Sequence, residues 1–474
     1  MSAPRGLRLP AALACATFAL AAAGVAAASA QGTGGTGGSS SPPPGTGGSS
    51  TGPAPAPPPP PPPLRPSADP LLGAVDRAQI TGVLDATRAA SYRSIYHSAL
   101  STAARVRGSR RTEMTAVIRI TRSIAIRGLL TPSRLALIYL TLQRNAQWWS
   151  RRGSPAPGDD STIVARGSAL TGGGTDVPTA IAAGEPDTAG RHCRALGARI
   201  SRVVFTGSGV VFEYYPGMGL QLQVNGTFGA ADALAHQGTP SSLERARRLL
   251  DEMLPLISSR DGLATWEYAF PFEAGKPPWT SALSQGTAIE AYTTVAAKLH
   301  RPDYLAVARQ LAGILGRRAP GGVELGLGRD GDWFLLYSFA RDEVVLNAHL
   351  DAMVGLTDLA SATHDPKVAA LAAKGMRATR RRIHLFDTGS WSRYQLGGPP
   401  ADLNYHVLNR DLAGALCQRT RDNVVCGAWR RFTRELDARC PRTGSSGSTA
   451  RSGAGARARR PRRLPAPGRA ARAA

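Results

Sequence analysis

The sequence predicts a mainly α protein: an α/α barrel, a toroid of helical hairpins, preceded by a small β-rich module and an N-terminal helical region. Three observations predict it. From Leu220 onward, apolar residues recur at three- and four-residue steps in stretches of similar length, as in helices that bury one face. The connections between these stretches alternate. Some are short and bland, such as His300-Arg301-Pro302; others are long and aromatic, namely Trp266 to Trp279, Trp333 to Phe339 and Trp391 to Tyr405. Just upstream, residues 198–220 alternate instead and are rich in Val and Phe around Gly207-Ser208-Gly209, which reads as a strand pair. Helical hairpins in series, with long loops at every second connection, gather those loops at one end of a barrel. No strict sequence repeat accompanies the pattern.

Taken in order, residues 1–30 read as a secretory signal. Arg5 and Arg8 precede an Ala-rich apolar run, and Ala28-Ser29-Ala30 forms a cleavage motif. Residues 31–70 are a Gly/Ser/Pro-rich linker whose prolines favour an extended polyproline II spacer. Residues 71–152 are a helical region, with helical spacing over Thr112 to Ile126 and Pro132 to Trp149; it suits a homodimer interface or a cap over the barrel. A Gly/Pro/Ser/Asp-rich loop or linker covers 153–195, and the β-rich module covers 196–228. The barrel domain spans 229–440. Its helices are expected at Gly229 to His236, Ser241 to Leu256, Ser281 to His300, Asp303 to Leu315, Val345 to Ala360, Lys367 to Arg382, Tyr405 to Gln418 and Val424 to Ala438. Residues 441–474, with nine arginines and no acid, read as a disordered basic tail able to contact a cell envelope.

Charge and cysteines fit export to an extracellular or wall-associated location. The net charge of +24 is nearly all arginine and would draw the chain to polyanions, acidic glycans above all, without specific nucleic-acid recognition. Beyond the signal, no segment is long and apolar enough to span a bilayer. Cys15 leaves with the signal, so Cys193, Cys417, Cys426 and Cys440 remain, an even number that allows three pairings or free buried thiols. Cys417 with Cys426 is preferred because they bracket a short polar segment between helical stretches; Cys193 would then pair with Cys440. No zinc-protease helix, P-loop, Rossmann fingerprint or serine elbow occurs, and the eight histidines are scattered, so neither a metal nor a cofactor is expected.

The long loops instead hold aromatic residues, among them Trp279, Trp333 and Trp391, with Glu267, Glu273, Asp387 and Asp402 nearby. Carbohydrate sites favour such loops, because a sugar C–H face packs on a ring while polar groups bond its hydroxyls. Taken singly, each tryptophan reads first as a loop anchor packed on a helix end; gathered in one class of loop, the group points toward a sugar site.

Four blocks in these loops carry a family resemblance. PWTSALSQGTAIEA (Pro278 to Ala291), DWFLLYSF with VVLNAHLDAMVGLTDLA, FDTGSWSRYQL and DLNYHVLNRDL resemble, in family order, segments of the glucuronyl C5-epimerases over about residues 260–440. The resemblance implies an α/α barrel behind a β-rich module, acting on a uronic-acid polysaccharide. Such an enzyme removes the C5 proton of a glucuronyl unit and returns one to the opposite face. It must stabilise an enolate-like charge and supply a proton-transfer group on each side of the ring. Tyrosine serves if cationic neighbours lower its pKa. The resemblance places catalytic tyrosines at Tyr337 and Tyr405, and Tyr394 at a third position that holds the carboxylate or the ring. It gives His406 a supporting role and puts Gln285 and Asn347 at helix ends. The sequence departs from the family pattern at three places. Leu336 replaces an acid before Tyr337, Asn409 replaces a second histidine, and the Arg expected after Tyr394 is missing. Glu267 or Glu273 would have to replace the acid, and Arg393 or Arg410 the Arg. Two rival readings follow: a non-catalytic glycan-binding protein on the same scaffold, and a polyuronate lyase.

Overall fold

The computed structural model describes residues 65–155 and 201–439. The signal, most of the first linker, residues 156–200, Cys193, Cys440 and the basic tail lie outside the described residues. Short polar side chains start many of the helices. Asp69 caps α1 (Pro70–Ile80), accepting from the Leu71 and Leu72 amides, and Asp85 caps α2 (Ala86–Arg105). Helices α3 (Ser109–Ile126) and α4 (Leu135–Trp149) complete an N-terminal group in which α2, α3 and α4 pack on one another.

Next come three antiparallel strands in the order β1 (Arg202–Val204), β2 (Val211–Tyr215), β3 (Gly219–Leu222), with Val203 opposite Phe212 and Phe212 opposite Leu222. Gly219 has φ 72°, and a Cβ there would meet the Val117 and Asn145 side chains at 2.4 and 2.6 Å. That close approach lets α3 and α4 clamp β3. Glu113 accepts from the Gly217 and Gly219 amides, and Asn145 bonds both amide and carbonyl of Leu220.

The remaining chain forms four helical hairpins: α5 (Val224–Gln237) with α6 (Pro240–Met253), α7 (Ala282–Leu299) with α8 (Pro302–Leu315), α9 (Leu346–Thr363) with α10 (Pro366–Arg382), and α11 (Leu403–Thr420) with α12 (Asn423–Arg439). Within each hairpin the first helix is inner. α5 packs on α7, α7 on α9 and α9 on α11, and each also packs on its own hairpin partner. The first helix of each hairpin ends at a left-handed residue, Gly238, His300, His364 or Arg421, which turns the chain. Proline then opens the outer helix in three of the four, at Pro240, Pro302 and Pro366, where its missing N–H is no loss. α7 and α9 approach closely through glycine: a Cβ on Gly286 would meet the Ala352 backbone at 2.6 Å, and one on Gly355 the Gly286 carbonyl at 2.5 Å.

The connections into α7, α9 and α11 are long and carry two small hairpins, β4 (Ser258–Arg260) with β5 (Leu263–Thr265) and β6 (Glu324–Gly326) with β7 (Asp332–Phe334). All three long loops therefore arrive at the N-terminal end of the inner helices, as expected from the alternation of loop lengths. The preferred disulfide forms, joining Cys417 to Cys426 across the α11–α12 turn. No described helix is long and apolar enough to cross a membrane.

Candidate active site

The loops before α7, α9 and α11 are stitched together by their backbones. The Ala282 amide donates to the Leu335 carbonyl (3.0 Å) and the Ser338 amide to the Thr280 carbonyl (3.0 Å), laying the Trp279 block beside the Tyr337 block. The Leu346 amide donates to the Tyr394 carbonyl (3.1 Å) and the Leu396 amide to the Val344 carbonyl (2.9 Å), fixing the third block against the start of α9. Asp402 caps α11 by accepting from the Tyr405 amide (2.9 Å), so Tyr405 stands in the first turn. Its ring lies 4.5 Å from that of Tyr394.

Tyr337 is buried, its ring walled by Phe272 (5.4 Å), Trp279 (5.7 Å) and Phe339 (5.3 Å). Its hydroxyl has no hydrogen-bond partner among the described residues, a costly state for a buried polar group unless a ligand completes it. Burial pushes the Tyr337 hydroxyl well above its ordinary pKa, and Tyr394, Tyr405, Glu273 and Glu343 act in the same direction. The three tyrosines named by the sequence blocks thus share one site. The expected lowering of tyrosine pKa by cations does not hold for Tyr337: its neighbours are acids and phenols, and it is held protonated. The Asn347 Nδ2, in the first turn of α9, is a second buried polar atom without a partner among the described residues.

An acid pair stands at this site, and only half of it is apparent from sequence. Glu273 occupies a tight turn closed by the Phe272–Gly275 pairing, with φ 46°. Glu343 lies in the turn before α9, near enough to Glu273 for the two carboxyls to act on each other. Partial burial and the neighbouring Glu273 and Asp342 raise the Glu343 carboxyl to about 6. Leu336, at the position of the missing acid, is fully buried in the apolar core.

Several residues expected at a sugar site have packing roles instead. Glu267 is fully buried between Arg134 (Nε 2.5 Å, Nη2 3.0 Å) and Arg260 (Nη1 2.9 Å), so it ties the N-terminal helices to the barrel loop and is not the replacement acid. Trp279 stacks on Tyr268 at 4.2 Å and donates to the Phe270 carbonyl. Trp333 lies between His349 (3.9 Å) and Phe386 (5.4 Å). Trp391 stacks on His406 at 3.6 Å. All three are buried and serve as loop anchors, so no open ring face is left for a sugar. His406 Nδ1 accepts from the Ser392 amide (3.0 Å), and Nε2 donates to the Phe432 carbonyl (3.0 Å); burial lowers its pKa to about 4. It is a neutral strut under the Tyr394 loop. Gln285 is spent on the Trp266 backbone and Thr280. Arg393 donates to the Gly398 carbonyl and Arg410 pairs with Asp411, so neither is fixed on the tyrosines by these contacts. Asn409 Nδ2 donates to Ser392 Oγ and the Arg393 carbonyl, which holds the same loop as His406 does.

Further down the inner helices the facing residues stay polar. Thr287 Oγ1 stands 2.6 Å from Asn225 Oδ1 and 2.9 Å from Asp351 Oδ2, joining α5, α7 and α9. Arg419 bonds Asp358 at 2.6 and 2.7 Å and Glu290 at 2.8 Å, joining α11 to α9 and α7. Asp351 (i+4) and Asp358 (i+11) recur on the Asn347 face of α9; that spacing is the signal by which a sequence reading would find this polar seam. No cluster suited to a metal ion occurs among the described residues.

Residues 260–434 match the family described as D-glucuronyl C5-epimerase C-terminus. This stretch contains all three long loops, both acids of the pair and the three tyrosines. Among solved structures, the chain is similar to a cellobiose 2-epimerase from Bacillus thermoamylovorans B4167 (10% identity, 48% of this chain and 63% of that one, TM-score 0.36). It is also similar to a cellobiose 2-epimerase from Spirochaeta thermophila DSM 6192 (13%, 70% and 74%, TM-score 0.36). A third is a GH76 alpha-mannanase from Bacteroides thetaiotaomicron (13%, 49% and 66%, TM-score 0.37).

Proposed function

We propose that this is an exported carbohydrate epimerase that inverts C5 of glucuronyl units in an acidic polysaccharide by reversible proton abstraction. The observation that carries the reading is the meeting of Tyr337, Tyr394 and Tyr405 at one end of the barrel, beside the Glu273–Glu343 pair, inside the stretch that matches the epimerase family.

The chemistry follows from the protonation states. A buried, protonated Tyr337 cannot act alone as a base. Glu343, with its pKa raised to about 6, is ionised near neutral pH yet basic enough to take a proton. As the Tyr337 oxygen takes the C5 proton, its own hydroxyl proton passes through a bridging water or substrate hydroxyl to the Glu343 carboxylate, since the two side chains are not bonded directly. Tyr405 donates a proton to C5 from the opposite face and recovers one from solvent; Glu343 releases its proton to solvent. Tyr394 positions the sugar. Protons balance, and no bond between sugars breaks.

The test is to incubate the secreted chain with an unsulfated glucuronate polymer and follow the products by NMR. Ido-configured signals on intact chains support the epimerase. Unsaturated chain ends would make it a lyase, and unchanged chains that bind saturably would make it a binding protein. Glu343→Gln should slow turnover at least about a hundredfold, the usual worth of a general base.

A further inference from the structure

We propose that a groove on the N-terminal helices, separate from the tyrosine site, binds a carboxylate-bearing oligosaccharide. The groove has a volume of about 650 Å³ and lies between α2, the end of α4 and β1. This is within the roughly 300–1,000 Å³ of ordinary ligand clefts. None of its lining residues belongs to the loops that carry the tyrosines.

Four arginines line it, Arg105, Arg144, Arg151 and Arg152, and no acidic residue does. Arg144 is half-buried; its Nη1 donates to Gln147 Oε1, and burial lowers its pKa. The carboxylate whose charge reaches it, Glu252, is taken up by the Ser208 hydroxyl and the Gly209 amide. A guanidinium that is partly desolvated and lacks an ion pair among the described residues is stabilised by an incoming anion. Two of the guanidiniums are also held in place: Arg144 lies 4.8 Å over the Phe205 ring and Arg152 4.9 Å over the Trp148 ring. Such pre-ordering lowers the entropy lost when they bind. Between them stand Ser94, Ser98, Gln143 and Gln147, which are donors and acceptors for hydroxyl groups. Fixed cations spaced among neutral polar side chains suit a chain of hydroxylated rings with intermittent carboxylates better than a compact phosphate.

The test counts binding equivalents by calorimetry, using a short oligosaccharide of alternating glucuronate and N-acetylglucosamine. Arg144→Gln with Arg152→Gln should remove one binding equivalent, or weaken it about tenfold or more in Kd. Ser98→Trp keeps all four arginines but fills the groove, and should remove the same equivalent. The carboxyl-reduced oligosaccharide should not bind there. Unchanged binding in both variants would overturn the proposal. Retention in Ser98→Trp alone would show attraction by charge without a groove, and equally tight binding of tripolyphosphate would overturn the glycan assignment. The count falls by one whether or not the tyrosine site turns over substrate, so failure of the epimerase reading is distinguishable.

Discussion

Replacing Glu267 by Gln removes one negative charge from between two arginines while nearly preserving shape. The carboxylate is fully buried and accepts three charge-assisted bonds, two from Arg134 and one from Arg260. Arg260 keeps the Gly321, Pro320 and Pro278 carbonyls, but among the described residues Arg134 keeps only the Leu129 carbonyl. Breaking a buried ion pair from one side costs about 3–5 kcal/mol, because a cation is left unpaired in a low dielectric. Glutamine retains one accepting oxygen, so the lower end, about 3 kcal/mol, applies. Urea denaturation of the full chain should show that loss, and Glu267→Leu with Arg134→Met should cost less than the sum of the single changes. A loss below about 1 kcal/mol, the range of an exposed pair, would refute the reasoning. So would lost turnover at unchanged stability, which would return Glu267 to the chemistry.

Other expectations concern the struts under the site. His406, lowered to about 4, is neutral in the fold and charges readily when unfolded. Its contribution is present above about pH 6.5 and is lost as pH falls toward 4, worth roughly 3 kcal/mol at about 1.4 kcal/mol per pH unit. The stability difference between wild type and His406→Gln should shrink over that window, and a constant difference would contradict it. Glu290 is pushed up by burial and by Asp232, against the pull of Arg419. The folded state therefore holds its proton more tightly, and stability should fall as pH rises above 4.5; Glu290→Gln should flatten that fall in a denaturation series. Arg419→Met should cost about 2 kcal/mol, between exposed and buried pairs, by leaving Asp358 without its cation and Glu290 without its hydrogen-bond donor. The Cys417–Cys426 bridge closes a loop with a sequence separation of 9, so Cys426→Ser should cost about 3 kcal/mol under oxidising conditions and nothing under reduction.

Much of the barrel is legible because its signals are local. Pro240, Pro302 and Pro366, each two residues after a left-handed helix end, mark three of the four hairpin turns in the sequence itself. Helical spacing places all eight barrel helices within a few residues, although α5 begins at Val224 where Gly229 is expected. The two hairpins within the loops, β4–β5 and β6–β7, are too short to show an alternating pattern. The grouping of Tyr337, Tyr394 and Tyr405 is legible through their blocks, since each block falls in or beside a long loop and these loops meet at one end of the barrel. Glu343 is not, because its partner Glu273 comes from another loop and only the fold brings them together. The same limit hides the fate of Glu267: nothing local reveals that Arg134 and Arg260 close on it. The tryptophans mislead because an aromatic loop reads the same whether its rings face a sugar or the protein.

The most direct test of the central claim is deuterium uptake at C5 of a glucuronate polymer in deuterated water, comparing wild type with Tyr337→Phe and Tyr405→Phe. Wild type should take up deuterium on intact chains, and either variant at least about a hundredfold less, with glycan binding retained. Uptake that survives both substitutions would place the proton transfer on groups other than Tyr337 and Tyr405.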